Sequence, residues 1–252
     1  MQKTSISWTD FSSNPIRAKE MGTGKEGWFC CKVSEGCTNC YSEAVNFRYG
    51  NKLAYNYANL HRIQWVLKPN EFKDWLKLKE PSKIFVCDMT DLFHAEMPDF
   101  FRHRIFDAMK EADWHTYQVL TKRPEYMREF LKAFPEYCMD NVWYGTSVES
   151  KKVLSRIDIL REIPVKTRFL SIEPLLESLG PVNLSGIRWA IVGAESGNLR
   201  RPFDKSFASE IKEQCRRDGT AFYFKQGSHR FSGRDRELEG QLWEEFPSDS
   251  KP

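Results

Sequence analysis

Lys83-Ile84-Phe85-Val86-Cys87-Asp88-Met89-Thr90-Asp91 is a short apolar run that ends in carboxylates and a hydroxyl, and the pattern changes after it. Phe101, Ile105 and Met109 recur at every fourth position, the spacing of a helix face. Tyr117-Gln118-Val119-Leu120-Thr121-Lys122-Arg123 then returns to an apolar run with a polar end. Strand, crossover helix and strand make the unit of a parallel sheet. The alternation continues in Val142-Trp143-Tyr144-Gly145, Arg168-Phe169-Leu170-Ser171, Ile187-Arg188-Trp189-Ala190-Ile191-Val192 and Ala221-Phe222-Tyr223-Phe224, all suited to buried strands. Helical stripes fall at Tyr126, Phe130 and Phe134, at Leu154, Ile157 and Leu160, and at Phe207, Ile211 and Cys215. Ser5-Ile6-Ser7-Trp8 is an earlier candidate strand. The expected fold is α/β, with about six or seven parallel strands forming a partial or near-complete (β/α) TIM-like barrel. An open doubly wound sheet is the main rival.

The 252 residues, 40% hydrophobic and 14% aromatic, suffice for one sizeable core, and a single domain over 1–252 is expected. Within it, 1–45 would hold the first strand and a cysteine loop, 46–81 a helical excursion, and 228–252 a loosely ordered, charged tail. No stretch approaches the roughly 18 apolar residues of a membrane span, and no apolar N-terminal segment is seen. Seven cysteines, an odd number, fit a reducing compartment, so we expect a cytoplasmic protein with reduced or metal-bound thiols. The net charge of +3 decides little alone. Basic residues crowd the last fifth of the chain, from Arg200 and Arg201 to Arg234 and Arg236, as either a solvated face or an anion-binding surface.

In parallel barrels, function gathers where strands end. The residues following the proposed strands are Asp88-Met89-Thr90-Asp91, Thr121-Lys122-Arg123, Thr146-Ser147-Val148-Glu149, Ser171-Ile172-Glu173, Gly193-Ala194-Glu195-Ser196 and Lys225-Gln226. Packing alone does not call for charge at every end, so this set reads as a polar rim. Singly, Asp91 or Ser147 could merely cap a helix, and Lys225 could merely pair with Glu173 or Glu195.

Three cysteines stand close together as Cys30, Cys37 and Cys40, with Tyr41 beside the last. Cys31 adjoins the first, and the spacing alone leaves Cys30 and Cys31 as alternatives. Thiolates suit zinc or an iron–sulfur cluster. Structural zinc wants four ligands, which His61 or Cys87 could complete, whereas three thiolates on a [4Fe–4S] cluster leave one iron open. Gly36 would let the loop wrap the metal, and Tyr41 would open a helix and shield the cluster. Cys87, Cys138 and Cys215 sit on or near apolar runs and read as core.

The stretches Trp8-Thr9-Asp10 to Asn14-Pro15, Trp28-Phe29-Cys30 and Val33-Ser34-Glu35-Gly36-Cys37-Thr38-Asn39-Cys40-Tyr41 resemble the three-cysteine motif of a phage-associated radical S-adenosylmethionine family. The similarity extends through most of the chain, in the strand-end blocks Asp88 to His94, Gln118 to Pro124, Gly145 to Glu149, Leu170 to Leu176, Val192 to Gly197 and Phe224 to Gln226. That family's spacing selects Cys30 over Cys31. The chain departs from it at Glu35, where proline is expected, and at Ala194, where glycine is usual. A more distant likeness, confined to the cysteine cluster and Leu120-Thr121-Lys122, links the chain to spore photoproduct lyase.

The resemblance implies a radical-SAM-type barrel holding a [4Fe–4S] cluster on Cys30, Cys37 and Cys40, with S-adenosyl-L-methionine cleaved to a 5′-deoxyadenosyl radical. By analogy, Asp88, Thr90 and Asp91 would bind the methionine amino end. Ser147, Glu149, Ser171 and Glu173 would hold ribose or the carboxylate side, and Lys122, Arg123, Glu195 and Lys225 would meet substrate. The implied chemistry is modification, rearrangement or repair of a nucleic-acid base, such as phage thymine hypermodification, with DNA or a nucleotide and an external electron donor as partners. The host cytoplasm would be the setting if a phage encodes the protein. Trp65, Tyr144, Trp189 or Phe231 would be available to stack bases. Two other readings compete: a zinc-stabilised nucleic-acid-binding protein without catalysis, and a metal-free hydrolase using Glu149, Glu173 and Glu195. No nucleophile elbow, phosphate loop or dinucleotide fingerprint is present.

Overall fold

The computed structural model describes residues 1–248. In chain order its strands are β1 (Gln2–Lys3), β2 (Phe11–Ser13), β3 (Ile16–Glu20), β4 (Glu26–Gly27), β5 (Ile63–Leu67), β6 (Lys83–Val86) and β7 (Thr116–Thr121). They continue as β8 (Val142–Ser147), β9 (Thr167–Ile172), β10 (Trp189–Gly193), β11 (Ala221–Gln226), β12 (Glu237–Leu238) and β13 (Gln241–Leu242). The helices are α1 (Tyr41–Tyr49), α2 (Asn70–Lys77), α3 (Asp99–Glu111), α4 (Pro124–Ala133), α5 (Ser155–Arg161) and α6 (Lys205–Asp218).

The main sheet has the order β1-β2-β6-β7-β8-β9-β10-β11. All pairs from β2 to β11 are parallel, and β1 joins antiparallel at one edge. Parallel strands thus neighbour one another in the order in which the chain forms them. A doubly wound sheet reverses direction partway, so that rival is excluded. Right-handed crossovers repeated in one direction curl the sheet. Trp8 demonstrates the curl, because its ring lies 4.7 Å from Phe85 on β6 and also 6.0 Å from Trp189 on β10, four strands along the sheet. No pairing joins β11 back to β1 among the described residues, so the sheet is a half-barrel and not a closed one.

Side-chain alternation assigns the two faces. Phe85, Trp143, Phe169, Trp189, Ile191 and Tyr223 pack inside the curl around Trp8. Their neighbours Ile84, Val86, Tyr144, Leu170, Val192 and Phe224 face outward into the helix layer. Burial on both faces explains why the strands read as continuous apolar runs.

Three expectations are corrected here. Ser5-Ile6-Ser7-Trp8 forms no strand; its tryptophan plugs the curl, and the first parallel strand is β2. The segment 46–81 is not wholly helical, since β5 pairs antiparallel with β3 and, with β4, makes a separate three-stranded sheet. Ile63 joins Ala18, Phe29, Cys31, Leu53 and Tyr55 in a satellite core that this strand helps to close. The C-terminal segment is ordered through 248, because Phe246 packs 5.2 Å from Trp189, Leu238 is buried, and Phe224 N–H donates to the Trp243 carbonyl at 2.9 Å. It thereby covers the edge strand β11, an edge that would otherwise be open to pairing. Residues 249–252 of the expected tail lie outside the described residues.

Candidate functional site

At the strand ends the half-barrel opens into a cavity of about 580 Å³. Cys30, Cys37 and Cys40 line it, as do Asp88, Thr90, Asp91, Lys122, Arg123, Ser147, Ser171, Glu173, Glu195 and Lys225. Of the cluster, cofactor and substrate residues that the resemblance implies, only Glu149 is absent from the wall; it is buried. Chain segments up to 195 positions apart therefore meet in one place because the strands are parallel and all end on one side.

Most of the rim charges have protein partners. Arg123 donates to Asp91 Oδ2 at 2.7 Å and to the Cys31 carbonyl at 2.7 Å, and its Nη1 lies 3.7 Å from Cys30 Sγ. Asp91 also accepts from Thr121 Oγ1 at 2.7 Å and from the Phe93 N–H at 3.0 Å. Ser34 donates to Glu149 at 2.9 Å, and Lys122 and Arg156 pair with the same carboxylate. Asn39 donates to Glu195 at 3.1 Å, which Arg201 also holds, and Tyr41 donates to the Asp88 carbonyl at 2.6 Å. Lys225 pairs with Glu173 at 3.0 Å, one of the two carboxylates the sequence offers it. These contacts fasten the cysteine loop across the mouth of the half-barrel. Ser34, Asn39, Arg156 and Arg201 take part in the fastening without standing among the expected site residues, because a neutral or distant residue carries no sign of its partner in sequence.

A family model described as "Protein of unknown function (DUF5131)" matches residues 3–247. The chain belongs to the DUF5131 family. No curated protein and no solved structure matches it.

In this DUF5131 protein the cysteine loop has a defined local structure. Glu35–Cys37 form a 3₁₀ turn and Cys40 caps α1, so Tyr41 does open a helix. Gly36 is needed for a reason other than a special backbone angle. A Cβ there would lie 2.4 Å from Cγ of Glu149, which Lys122, Arg156 and Ser34 hold in place. Gly36→Ala is expected to cost about 1–3 kcal/mol by overpacking, read as a lower unfolding midpoint in urea. An unchanged midpoint would mean that Glu149 can swing aside.

Burial pushes the Cys30 thiol up to about 12, with Arg123 pulling the other way, and the Cys31 thiol up to about 11. Burial also raises Cys40, against backbone N–H groups of Glu43 and Ser42 at the start of α1. Cys40 adds to the upward shift of Cys30, and Cys37 adds to that of Cys40. Among the described residues no three His, Cys, Asp or Glu side chains converge as one metal ion would require. The hydroxyl of Thr90, 5% exposed and on the cavity wall, has no hydrogen-bond partner among the described residues.

Burial alone would raise the Glu149 carboxyl, but Lys122, Arg156 and Ser34 together hold it below its ordinary 4.5. A carboxyl lowered by folding contributes stability that is present above its unfolded value and is lost as pH falls through the folded one. The protein is therefore expected to lose stability below pH 4.5, and Glu149→Gln to flatten that loss while lowering stability at neutral pH. Urea unfolding of both proteins across pH 3–7, on the order of one pH unit per step, reads the two slopes. Parallel slopes would remove Glu149 from the account.

Two proposed base-stacking residues are not available. Tyr144 and Trp189 are fully buried, Tyr144 in the helix layer and Trp189 inside the curl, whereas Phe231 is 62% exposed. The C-terminal cations are also largely engaged: Lys205 with Asp235, Arg216 with Glu213, Arg217 with Asp218, and Arg236 with Glu244. Tyr126 faces outward, and Met127 and Leu131 flank Phe130 in the buried stripe of α4. No helix among the described residues is long and apolar enough to cross a membrane.

Proposed function

We propose that this DUF5131 protein is a radical S-adenosylmethionine enzyme that acts on a nucleic-acid base or nucleotide. The observation that carries the reading is the shared cavity: the three thiols and the polar strand ends line the same 580 Å³ space. The donor set fits a [4Fe–4S] cluster. Buried thiols whose ionisation is opposed by burial need positive charge beside them, which iron supplies, and each thiolate would bind a different iron instead of converging on one ion. When bound, the cluster would leave one iron for S-adenosylmethionine and supply the electron for its reductive cleavage to a 5′-deoxyadenosyl radical.

The chain's own residues bind, orient and exclude water. Cys30, Cys37 and Cys40 would hold the cluster, with Arg123 placed to donate toward the Cys30 sulfur. Thr90 offers a hydroxyl with no protein partner, as a ligand-binding group would. Trp8 and Phe85 extend from the aromatic core into the cavity wall and make part of it apolar. The hydrolase reading is weakened, since Glu149 and Glu195 are each held ionised by cations and Glu173 is paired with Lys225. Protein purified without oxygen should carry iron and sulfide and, with dithionite and S-adenosylmethionine, release 5′-deoxyadenosine. A colourless protein with one zinc, or with no metal, overturns the reading.

A further inference from the structure

On the other side of Lys122 and Arg123 lies a second cavity, of about 330 Å³. Lys122, Arg123, Lys152 and Arg156 contribute to its wall, with Tyr57 and Tyr126. Only one carboxylate, Glu125, joins them there. The acids that pair with the four cations, namely Glu149, Asp91 and Glu35, do not line the cavity and grip the cations from outside it. This arrangement fixes cationic side chains beside an open space instead of neutralising them within it.

Donor capacity remains in that space. Among the described residues, Arg156 contacts the Ser147 carbonyl at 2.9 Å and Glu149 at 3.0 Å, both through Nη1, which leaves Nη2 and Nε with capacity to donate. The side chain of Lys152 is 74% exposed and its pairing with Glu35 is a surface contact, weak enough to be exchanged for a ligand. Planar guanidinium beside ammonium groups is the chemistry that holds a phosphate. The volume exceeds what an isolated phosphate fills, and Tyr57 and Tyr126, 58% and 44% exposed, offer aromatic faces on the same wall. Cations with exposed rings beside them form a platform for a base next to its phosphate.

We propose that the second cavity binds a nucleotide, its phosphate among Lys122, Lys152 and Arg156 and its base against Tyr57 or Tyr126. Val33, Lys122 and Arg123 line both cavities, so a nucleotide seated here borders the cysteine cavity. The proposal stands whether or not the cysteines hold a cluster, since no cysteine lines this wall.

Calorimetric titration of the full chain with the four deoxynucleoside 5′-monophosphates, the matching nucleosides and inorganic phosphate tests it. At least one monophosphate should bind about tenfold or more tightly than both its nucleoside and inorganic phosphate, as charge-assisted hydrogen bonds and base stacking together provide. Lys152→Glu should weaken that binding about tenfold and Tyr126→Ala about fivefold. Both positions are exposed, so unchanged melting temperatures would show that these variants remain folded. Cys37→Ala should bind the nucleotide as the parent protein does. Equal binding of nucleoside and monophosphate, equal binding of inorganic phosphate, folded variants with parental affinity, or loss of binding in Cys37→Ala would each overturn the proposal.

Discussion

Replacing Cys37 with alanine is expected to abolish iron binding in anaerobically prepared protein and to lower 5′-deoxyadenosine formation at least about a hundredfold. Even outer-shell partners of a metal are worth roughly 10–100-fold, and a ligand is worth more. Cys30→Ala and Cys40→Ala should do the same. Cys31→Ala is the informative contrast, because spacing alone leaves Cys30 and Cys31 equivalent. Cys31 is fully buried in the satellite core with Phe29, Leu53 and Tyr55, and its carbonyl accepts from Arg123. Its loss should cost stability and leave iron content and cleavage within about twofold of the parent, as expected of a residue that packs and does not ligate. The ligand assignment fails if Cys31→Ala removes the iron while Cys30→Ala retains it. Retention of iron by all four variants would remove the cysteine loop from metal binding altogether.

The second large effect is on stability. Asp91 and Arg123 are 7% and 3% exposed and pair at 2.7 Å at the junction of β6, β7 and the cysteine loop. Asp91→Ala should destabilise the protein by about 3–5 kcal/mol, because it strands a buried guanidinium as well as the hydroxyl of Thr121. Arg123→Met alone should cost a similar amount by leaving the carboxylate unpaired, and it also releases the Cys31 carbonyl. The double variant Asp91→Ala/Arg123→Met should cost clearly less than the two singles added together, since neither charge is then stranded. Urea denaturation of the four proteins completes the cycle. Additive losses, or single losses under about 1 kcal/mol, would show the pair to be dispensable.

These two experiments separate roles that look alike in sequence. Asp88, Asp91, Glu149, Glu173 and Glu195 all follow strands and all suggested ligand-binding groups. In the structure Asp91, Glu149 and Glu195 fasten the cysteine loop or neighbouring strand ends through cations, and Glu173 pairs with Lys225. Asp88 accepts from Asn14 at 2.5 Å, and burial raises its carboxyl. Thr90, between Asp88 and Asp91, has a buried hydroxyl with no hydrogen-bond partner among the described residues.

The strands from β6 to β11 were legible because burial on both faces leaves unbroken apolar runs, and α3 and α6 because a half-buried helix repeats its apolar residues every three or four positions. Ser5 to Trp8 and 46–81 were misread for the opposite reason. A plug residue obeys no period, and β5 is a five-residue strand whose pairing partner, β3, lies more than forty residues away.

From β6 onward, local pattern by itself determined the element types, their alternation, and the fact that polar residues stand at the strand ends, since each follows from neighbours within a few positions. Only the tertiary structure decided that the curled sheet stays open, that the cysteine loop spans its mouth, and which charges are spent on one another. Those outcomes depend on distances between residues far apart in the chain, and a charge reveals its partner only when folding brings the two within reach.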